Sequence, residues 1–414
     1  MPAEPLYRRF VEPLLVEALT DTPVVLLHGP RQCGKTTLVQ RVGDQHGHAY
    51  FTFDDDAVLA AATADPVGFV GDLPQRCILD EVQRAPQIFG ALKREVDRRR
   101  APGRFLLTGS ANVLLVPALA DSLAGRLGLV RLHPLAQCEL AGRVPTFLAQ
   151  LFGDGFVSRP SKRLGTDLVE RVVAGGYPAA LARTAGRRRT AWYRDYVETL
   201  VQRDVRDMAR ISSLDVIPRL LAAAASHTAT LLNIVDLASP FHLSRPTIRD
   251  YVTLLERVFL LEELPPWHAN HLSRLVKTPK LHLGDTGVAC ALRGLDAASL
   301  STDRQGFGPL LETFVLGELR RQASWHDDDL HFHHFRDKDN HEVDIVIQAS
   351  GRLAGIEVKA SATVTAADFR GLRKLQQGSA KRFAAGVVLY DGEAGVSFGD
   401  RLYAVPMRRL WESK

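Results

Sequence analysis

The sequence predicts an α/β protein of several domains: a parallel sheet first, a mostly helical middle, and a second α/β region at the C-terminal end. The first third alternates short apolar runs with helix-length stretches, at Val24–His28, Tyr50–Phe53, Cys77–Leu79, Phe105–Thr108 and Leu127–Leu132. Continuous apolar strands separated by helices are the mark of a parallel sheet covered on both faces. Residues 136–232 then read as helical, with the alanine-rich Leu221–Ser226 as the strongest helix former and Gly175-Gly-Tyr-Pro178 as an interruption. Residues 233–265 read as two short helices joined by a turn. Beyond residue 306 an amphipathic helix leads into strands at His331–Phe335, Glu342–Gln348, Leu353–Val358 and Gly386–Tyr390. The domains expected are therefore 1–135, 136–232, 233–270 and 271–414.

A chain of 414 residues exceeds what one hydrophobic core serves. Its 46% hydrophobic and 24% charged residues exclude a disordered chain. A net charge of +5 permits contact with nucleic acid without demanding it. The four cysteines, Cys33, Cys77, Cys138 and Cys290, form no CxxC pair, so neither a disulfide framework nor a zinc site is expected. The N-terminus lacks the pattern of a secretory signal, and no run reaches the roughly 18 apolar residues of a membrane helix. A cytoplasmic protein without a membrane partner is expected.

The sharpest local signal is Gly29-Pro-Arg-Gln-Cys-Gly-Lys-Thr36, a GxxxxGK[ST] loop (Walker A) between an apolar strand and a helix. Such a loop turns backbone N–H groups toward phosphate oxygens and aims a helix N-terminus at them. Gly29, Pro30, Arg31, Gln32, Cys33, Gly34, Lys35, Thr36 and Thr37 are the expected ATP-binding residues. Lys35 is to reach the β- and γ-phosphates and Thr36 to ligate Mg²⁺. Downstream, Cys77-Ile-Leu-Asp-Glu81 is an apolar strand ending in two carboxylates (Walker B). Asp80 is the expected Mg²⁺ partner and Glu81 the base that polarises the attacking water. Ser110, rather than Thr108, is expected to sense the γ-phosphate at the end of a third strand. Arg126 is a candidate for stabilising phosphoryl charge, in cis or from a neighbouring subunit. Asp54 and Asp55 read equally as metal second shell and as a polar loop.

The order HGPRQCGKTTL, YFTFDDD, CILDEVQRAPQIF, RFLLTGSAN and SLAGRLGLVRLHPL resembles the prokaryotic AAA-type ATPases, related to the STAND signalling ATPases, that carry an uncharacterised C-terminal domain. GGYPAAL (175–181) and LGDTG (283–287) extend the resemblance over nearly the whole chain. It implies a P-loop parallel-sheet domain that binds and hydrolyses ATP with Mg²⁺.

Two later constellations bear on nucleic acid. Asn233–Glu256 resembles a winged helix-turn-helix, with Ser244 as N-cap, an apolar face of Ile248, Val252 and Leu255, and Arg245, Thr247, Arg249 and Asp250 opposite. The pattern fits DNA contact and a plain packing module equally. At the C-terminus, Glu312 on a helix, Asp344 on a strand, and Glu357 and Lys359 on one face of the next strand resemble the E…D…ExK core of restriction-endonuclease-like domains. That resemblance implies Glu312, Asp344 and Glu357 as metal ligands, with Glu357 and Lys359 catalytic. Five histidines between His326 and His341 read as surface or packing, and the arginine runs 98–100 and 187–189 as solvated helix ends.

The function expected is an ATPase whose nucleotide state controls a nuclease-like C-terminal domain acting on nucleic acid. The alternative is a regulatory switch or toxin-like signalling protein whose C-terminal domain only binds a partner. ATP, DNA and a second copy of the chain are the expected partners.

Overall fold

The computed structural model describes residues 7–110, 123–206, 214–267 and 278–412. Ala111, Asn112 and Ser122, which belong to two of the motifs above, lie outside them. The chain divides into two compact units: Arg8–Leu135 with Arg257–Phe259, and the remainder from Ala136 onward together with the first residues.

The first unit is a five-stranded sheet of β1 (Val24–His28), β2 (Ala49–Thr52), β3 (Cys77–Asp80), β4 (Phe105–Gly109) and β5 (Leu127–Arg131). All its pairings are parallel and the order is β2-β3-β4-β1-β5. Side-chain alternation along each strand divides the core in two. Val24, Leu26, Cys77, Leu79, Phe105 and Leu107 pack with Ile88, Phe89, Leu92 and Val96 of the helix Ile88–Arg98. Val25, Leu27, Ile78, Leu106 and Val130 pack on the other face with Leu15, Leu19, Leu38, Val39 and Val42. β1, β3 and β4 are buried throughout, as their unbroken apolar sequences predict, whereas the edge strands β2 and β5 are partly exposed. The order inserts β4 between β1 and β3. The carboxyl ends of three central strands therefore lie side by side, where parallel sheets collect ligands.

The second unit contains two sheets. β6 (Thr230–Leu231), β7 (Leu261–Leu264) and β8 (Lys280–Leu283) form an antiparallel sheet in the order β6-β8-β7. It accompanies the helices Val216–Ser226, Ile234–Ala238 and Arg245–Arg257. The last of these buries Ile248, Tyr251, Val252, Leu254 and Leu255 and leaves Arg245, Arg249 and Asp250 exposed. Ser244 Oγ accepts from the Thr247 N–H at 3.3 Å, capping it.

The larger sheet runs β9 (Leu330–Arg336), β10 (Glu342–Ala349), β11 (Arg352–Lys359), β12 (Phe383–Tyr390), β14 (Leu402–Pro406) and β13 (Val396–Gly399). β9–β10, β10–β11 and β13–β14 are antiparallel, and β12 is parallel to both its neighbours. The helix Arg370–Ser379 supplies the crossover between β11 and β12. The long helix Arg304–Ala323 buries most of its length.

The GGYP and LGDTG motifs meet in a buried joint of this unit. Asp285 caps the helix Thr286–Arg293 through the Gly287 N–H at 2.9 Å and also accepts from the Gly176 N–H at 2.8 Å. Arg321 donates to Asp285 at 3.2 Å and to Glu318 at 2.7 Å, and Glu318 accepts from the Gln137 N–H at 2.9 Å. Gly175 has φ +65°, and a Cβ there would stand 2.2 Å from Asp285 Oδ1. The two motifs thus serve packing and polar satisfaction.

Among the described residues, no helix is long and apolar enough to cross a membrane.

Candidate active site

The Gly29–Thr36 loop leaves β1 at its carboxyl end. Its curvature comes from residues outside the ordinary backbone regions: Gly29 at φ 155°, Gln32 at φ 59° and Gly34 at φ 99°. A side chain at Gly29 would stand 2.0 Å from the Leu132 carbonyl, so only glycine fits. The helix that follows begins at Lys35. Arg9 fastens the loop from outside, donating to Cys33 O at 2.7 Å and to His133 O at 2.6 Å. Lys35 is buried, and its ammonium donates to Gly29 O at 3.0 Å and Pro30 O at 2.8 Å. It lies folded against the loop that a phosphate chain would fill. His28, just before the loop, is buried. Burial first, then the charges of Arg131 and Lys35, lower its pKa to about 4, so it stays neutral.

Asp80, at the end of β3, faces this loop. Thr36 Oγ1 donates to its two carboxylate oxygens at 3.3 and 3.1 Å, and Tyr50 OH donates to Oδ2 at 2.7 Å. Thr108 Oγ1, at the end of β4, donates to Asp80 Oδ1 and accepts from the Glu81 N–H at 3.0 Å. One carboxylate thus receives three hydroxyls from three elements. Burial, then the hydrogen bond and charge of Asp80, push the Tyr50 phenol well above its ordinary range. Tyr50 then stays a donor at any working pH.

Glu81 sits in the left-handed region at φ 58°, a conformation that costs a non-glycine residue free energy. The turn swings its carboxylate toward β4. There Ser110 Oγ donates to Glu81 Oε2 at 2.8 Å, and Gln83 Nε2 donates to the same oxygen and, at 2.9 Å, to Ser110 Oγ. The two hydroxyls of β4 therefore divide the work, with Thr108 holding Asp80 and Ser110 holding Glu81.

Other expected residues stand elsewhere. Arg126 precedes β5 and lies at the amino edge of the sheet, since Leu127 pairs with Val24. It donates to Asp97 at 2.6 Å and to Ala124 O at 3.0 Å. The expectation that it reaches phosphate in cis is corrected: it sits a full strand length from the carboxyl edge. Asp55 caps the helix Asp56–Ala64 and Asp54 pairs with Arg84 at 2.5 Å. Tyr50 and Gln83 were missed by sequence reasoning. Each is an ordinary polar residue until the sheet order brings it to the carboxylates.

In the second unit, the β10–β11 ladder ends on Ile345↔Ile356, with Asp344 and Glu357 as the next residue of each strand, and β10 is irregular between Val343 and Val346. Asp344 Oδ2 accepts from the Val358 N–H at 2.9 Å, and Lys359 donates to Glu357 at 2.8 Å. Burial, then the Asp344 charge, push Glu357 up to about 8 against the pull of Lys359. Glu312 comes from the helix Arg304–Ala323. Its carboxylate meets the ammonium of Lys280, from β8, at 2.8 Å. The same nitrogen lies 2.7 Å from Glu342 and 3.5 Å from Asp344. Among the described residues, the group of three ligand-type side chains with atoms all within 4.8 Å of one another is another one, Asp337, Asp339 and His341. Glu312, Asp344 and Glu357 do not form such a group in this structure, though Lys280 joins the first two.

Residues 21–141 match the AAA domain family, 165–299 a domain of unknown function (DUF8612), and 307–410 another (DUF4143). The uncharacterized protein Rv2008c of Mycobacterium tuberculosis and Mb2031c of Mycobacterium bovis are each 30% identical over 406 residues, covering 97% of this chain and 84% of theirs. The chain belongs to their family. Among solved structures, the Walker-type ATPase PABY2304 of Pyrococcus abyssi is similar at 15% identity, with TM-score 0.43, over 70% of this chain and 97% of its own. The RuvB Holliday junction branch migration motor of Thermotoga maritima is similar at 16% identity, with TM-score 0.29, over 61% and 87%. The assignment rests on the near full-length mycobacterial relatives. The AAA-family match and the Gly29–Thr36 loop agree on an ATPase-like N-terminal domain.

Proposed function

We propose that this protein binds ATP·Mg²⁺ on Gly29–Thr37 and hydrolyses it. The observation that carries this reading is the meeting of Thr36 and Asp80 beside the phosphate loop, with Glu81 held next to them by Ser110. A hydroxyl and a carboxylate are hard oxygen donors that fit Mg²⁺, which would neutralise phosphate charge when bound. Lys35 exchanges the Gly29 and Pro30 carbonyls for phosphate oxygens. Glu81 orients the attacking water and takes up its proton. Lys35→Ala tests the assignment. Charge-assisted contacts contribute about 1.5–3 kcal/mol, so calorimetry should show ATP affinity reduced by about 10- to 150-fold. Unchanged affinity would refute the site.

The nucleotide state then governs the rest of the chain, by the reading we favour, as a regulatory switch. The helix, short strand, two helices and two strands of residues 216–283 support a winged-helix-like unit, whose exposed Arg245 suits phosphate contact, while Arg249 pairs with Glu263. The E…D…ExK order, with Asp344 and Glu357 at the end of the β10–β11 ladder, supports a restriction-endonuclease-like ancestry. Lys280 among those acids favours binding without cleavage, the second of the two functions the sequence allows.

A further inference from the structure

The acid face of the C-terminal sheet is crowded with charge. Glu342 and Asp344 of β10 both reach Lys280, and Glu357 and Lys359 lie two apart on one face of β11, where the Val358 N–H holds Asp344. Glu312 approaches from the helix Arg304–Ala323, and four carboxylates result. Such a cluster is held in a folded protein only with cations or protons among it.

We propose that the Lys280 ammonium is the resident cation of this face, making it a metal-independent ion cluster that does not cleave phosphodiesters by a divalent-metal route. Lys280 is 2% exposed and reaches Glu312, Glu342 and Asp344 at 2.8, 2.7 and 3.5 Å. These are charge-assisted hydrogen bonds, three donors to three acceptors, which uses the full capacity of an ammonium. Lys359 serves Glu357 in the same way at 2.8 Å, from a more exposed position. Asp344 has its other oxygen on the Val358 N–H. His282 faces the same side, with Nε2 at 4.0 Å from Glu312, and its partner at Nδ1 is Thr313 at 3.0 Å.

A directly bound Mg²⁺ needs oxygens at about 2.1 Å, hence within about 4.2 Å of one another. Among the described residues, Glu312, Asp344 and Glu357 do not bring ligand atoms even within 4.8 Å of one another, whereas Asp337, Asp339 and His341 do. A divalent ion would also have to enter beside a buried ammonium already bonded to two of those three acids. Lys280 has nowhere else to go: β8 is paired with β6 and β7 on its two sides, and all four of its residues are buried. Burial would lower the Lys280 pKa, but Glu312, Asp344 and Glu342 outweigh it, so the group stays charged.

The test is Mn²⁺ titration of the full chain without nucleotide, followed by electron paramagnetic resonance, so that its outcome is independent of the ATPase reading. Asp344→Asn isolates this face from the phosphate loop and from the Asp337 hairpin. Wild type and Asp344→Asn should take up Mn²⁺ identically up to about 1 mM, the weak end of protein carboxylate sites. A submillimolar Mn²⁺ ion in wild type that Asp344→Asn loses would overturn the proposal. Lys280→Met should gain an Asp344-dependent Mn²⁺ site at least tenfold tighter than any in wild type. A folded Lys280→Met that stays indifferent to Mn²⁺ would overturn the assignment of Lys280 to the cation position. If that variant does not fold, the comparison of wild type with Asp344→Asn still decides.

Discussion

Tyr50→Phe probes the geometry of the ATP site at a residue that no phosphate-loop pattern contains. The phenol donates to Asp80 Oδ2 at 2.7 Å, the oxygen that Thr36 also approaches at 3.1 Å. Hydrogen bonds to charged groups contribute about 1.5–3 kcal/mol net. Tyr50 is 37% exposed, so water replaces part of the loss and the lower end applies, about 1.5 kcal/mol or roughly tenfold. That free energy holds the Asp80 carboxylate in one orientation, and Thr108 and Thr36 retain it in the variant. The loss should therefore appear in metal capture. In steady-state ATPase assays at fixed nucleotide, the half-saturating Mg²⁺ should rise about tenfold, while kcat at saturating Mg²⁺ stays within about twofold. ATP affinity without Mg²⁺ should not change. A Tyr50→Phe enzyme with wild-type Mg²⁺ dependence would refute the positioning role. A fall in kcat alone would place Tyr50 in the chemistry instead.

Two further outcomes follow from packing and protonation. Gly175→Ala forces a Cβ to 2.2 Å from Asp285 Oδ1 and 2.3 Å from Tyr193 OH at φ +65°, and should cost about 2–4 kcal/mol in urea unfolding. A loss below about 1 kcal/mol would mean that the Asp285 joint is slack. His28 has its pKa lowered from 6.5 to about 4, so below pH 6.5 the unfolded chain takes a proton that the folded chain refuses. Its contribution is complete above pH 6.5 and is lost as pH falls from 6.5 to 4, amounting to about 3 kcal/mol. His28→Gln should flatten the acid side of the stability curve; an unaltered slope would contradict the burial argument. His48 and His282, also lowered by burial, leave a residual slope of the same sign.

Much of the first unit was legible because its signals are local. A phosphate loop needs glycines and a lysine at fixed spacing on consecutive residues, and buried parallel strands are unbroken apolar runs. Ser110 could be named because it ends such a strand. Arg126 has a residue type that suits phosphate, but its position does not bring it to the loop of its own chain. It precedes a parallel strand and so falls on the amino edge, where Asp97 takes it. Tyr50 was hidden because an aromatic in a β-run reads as packing until the strand order sets it beside β3. In the second unit, Glu357 and Lys359 were legible from period-two alternation. Lys280 was not, since it lies 32 residues from Glu312 and 64 from Asp344. The run Lys280–Leu283 is too short to announce a strand. β13 and β14 escaped notice for a similar reason, being short strands of four and five residues.

The most direct test of the central claim is single-turnover ATP hydrolysis by the intact chain, wild type against Glu81→Gln. The amide keeps the shape that Ser110 and Gln83 hold and removes the charge that polarises water. The account predicts normal ATP binding with hydrolysis slowed by about 10²–10⁴, equivalent to about 3–5 kcal/mol of barrier. Turnover within about threefold of wild type would contradict it.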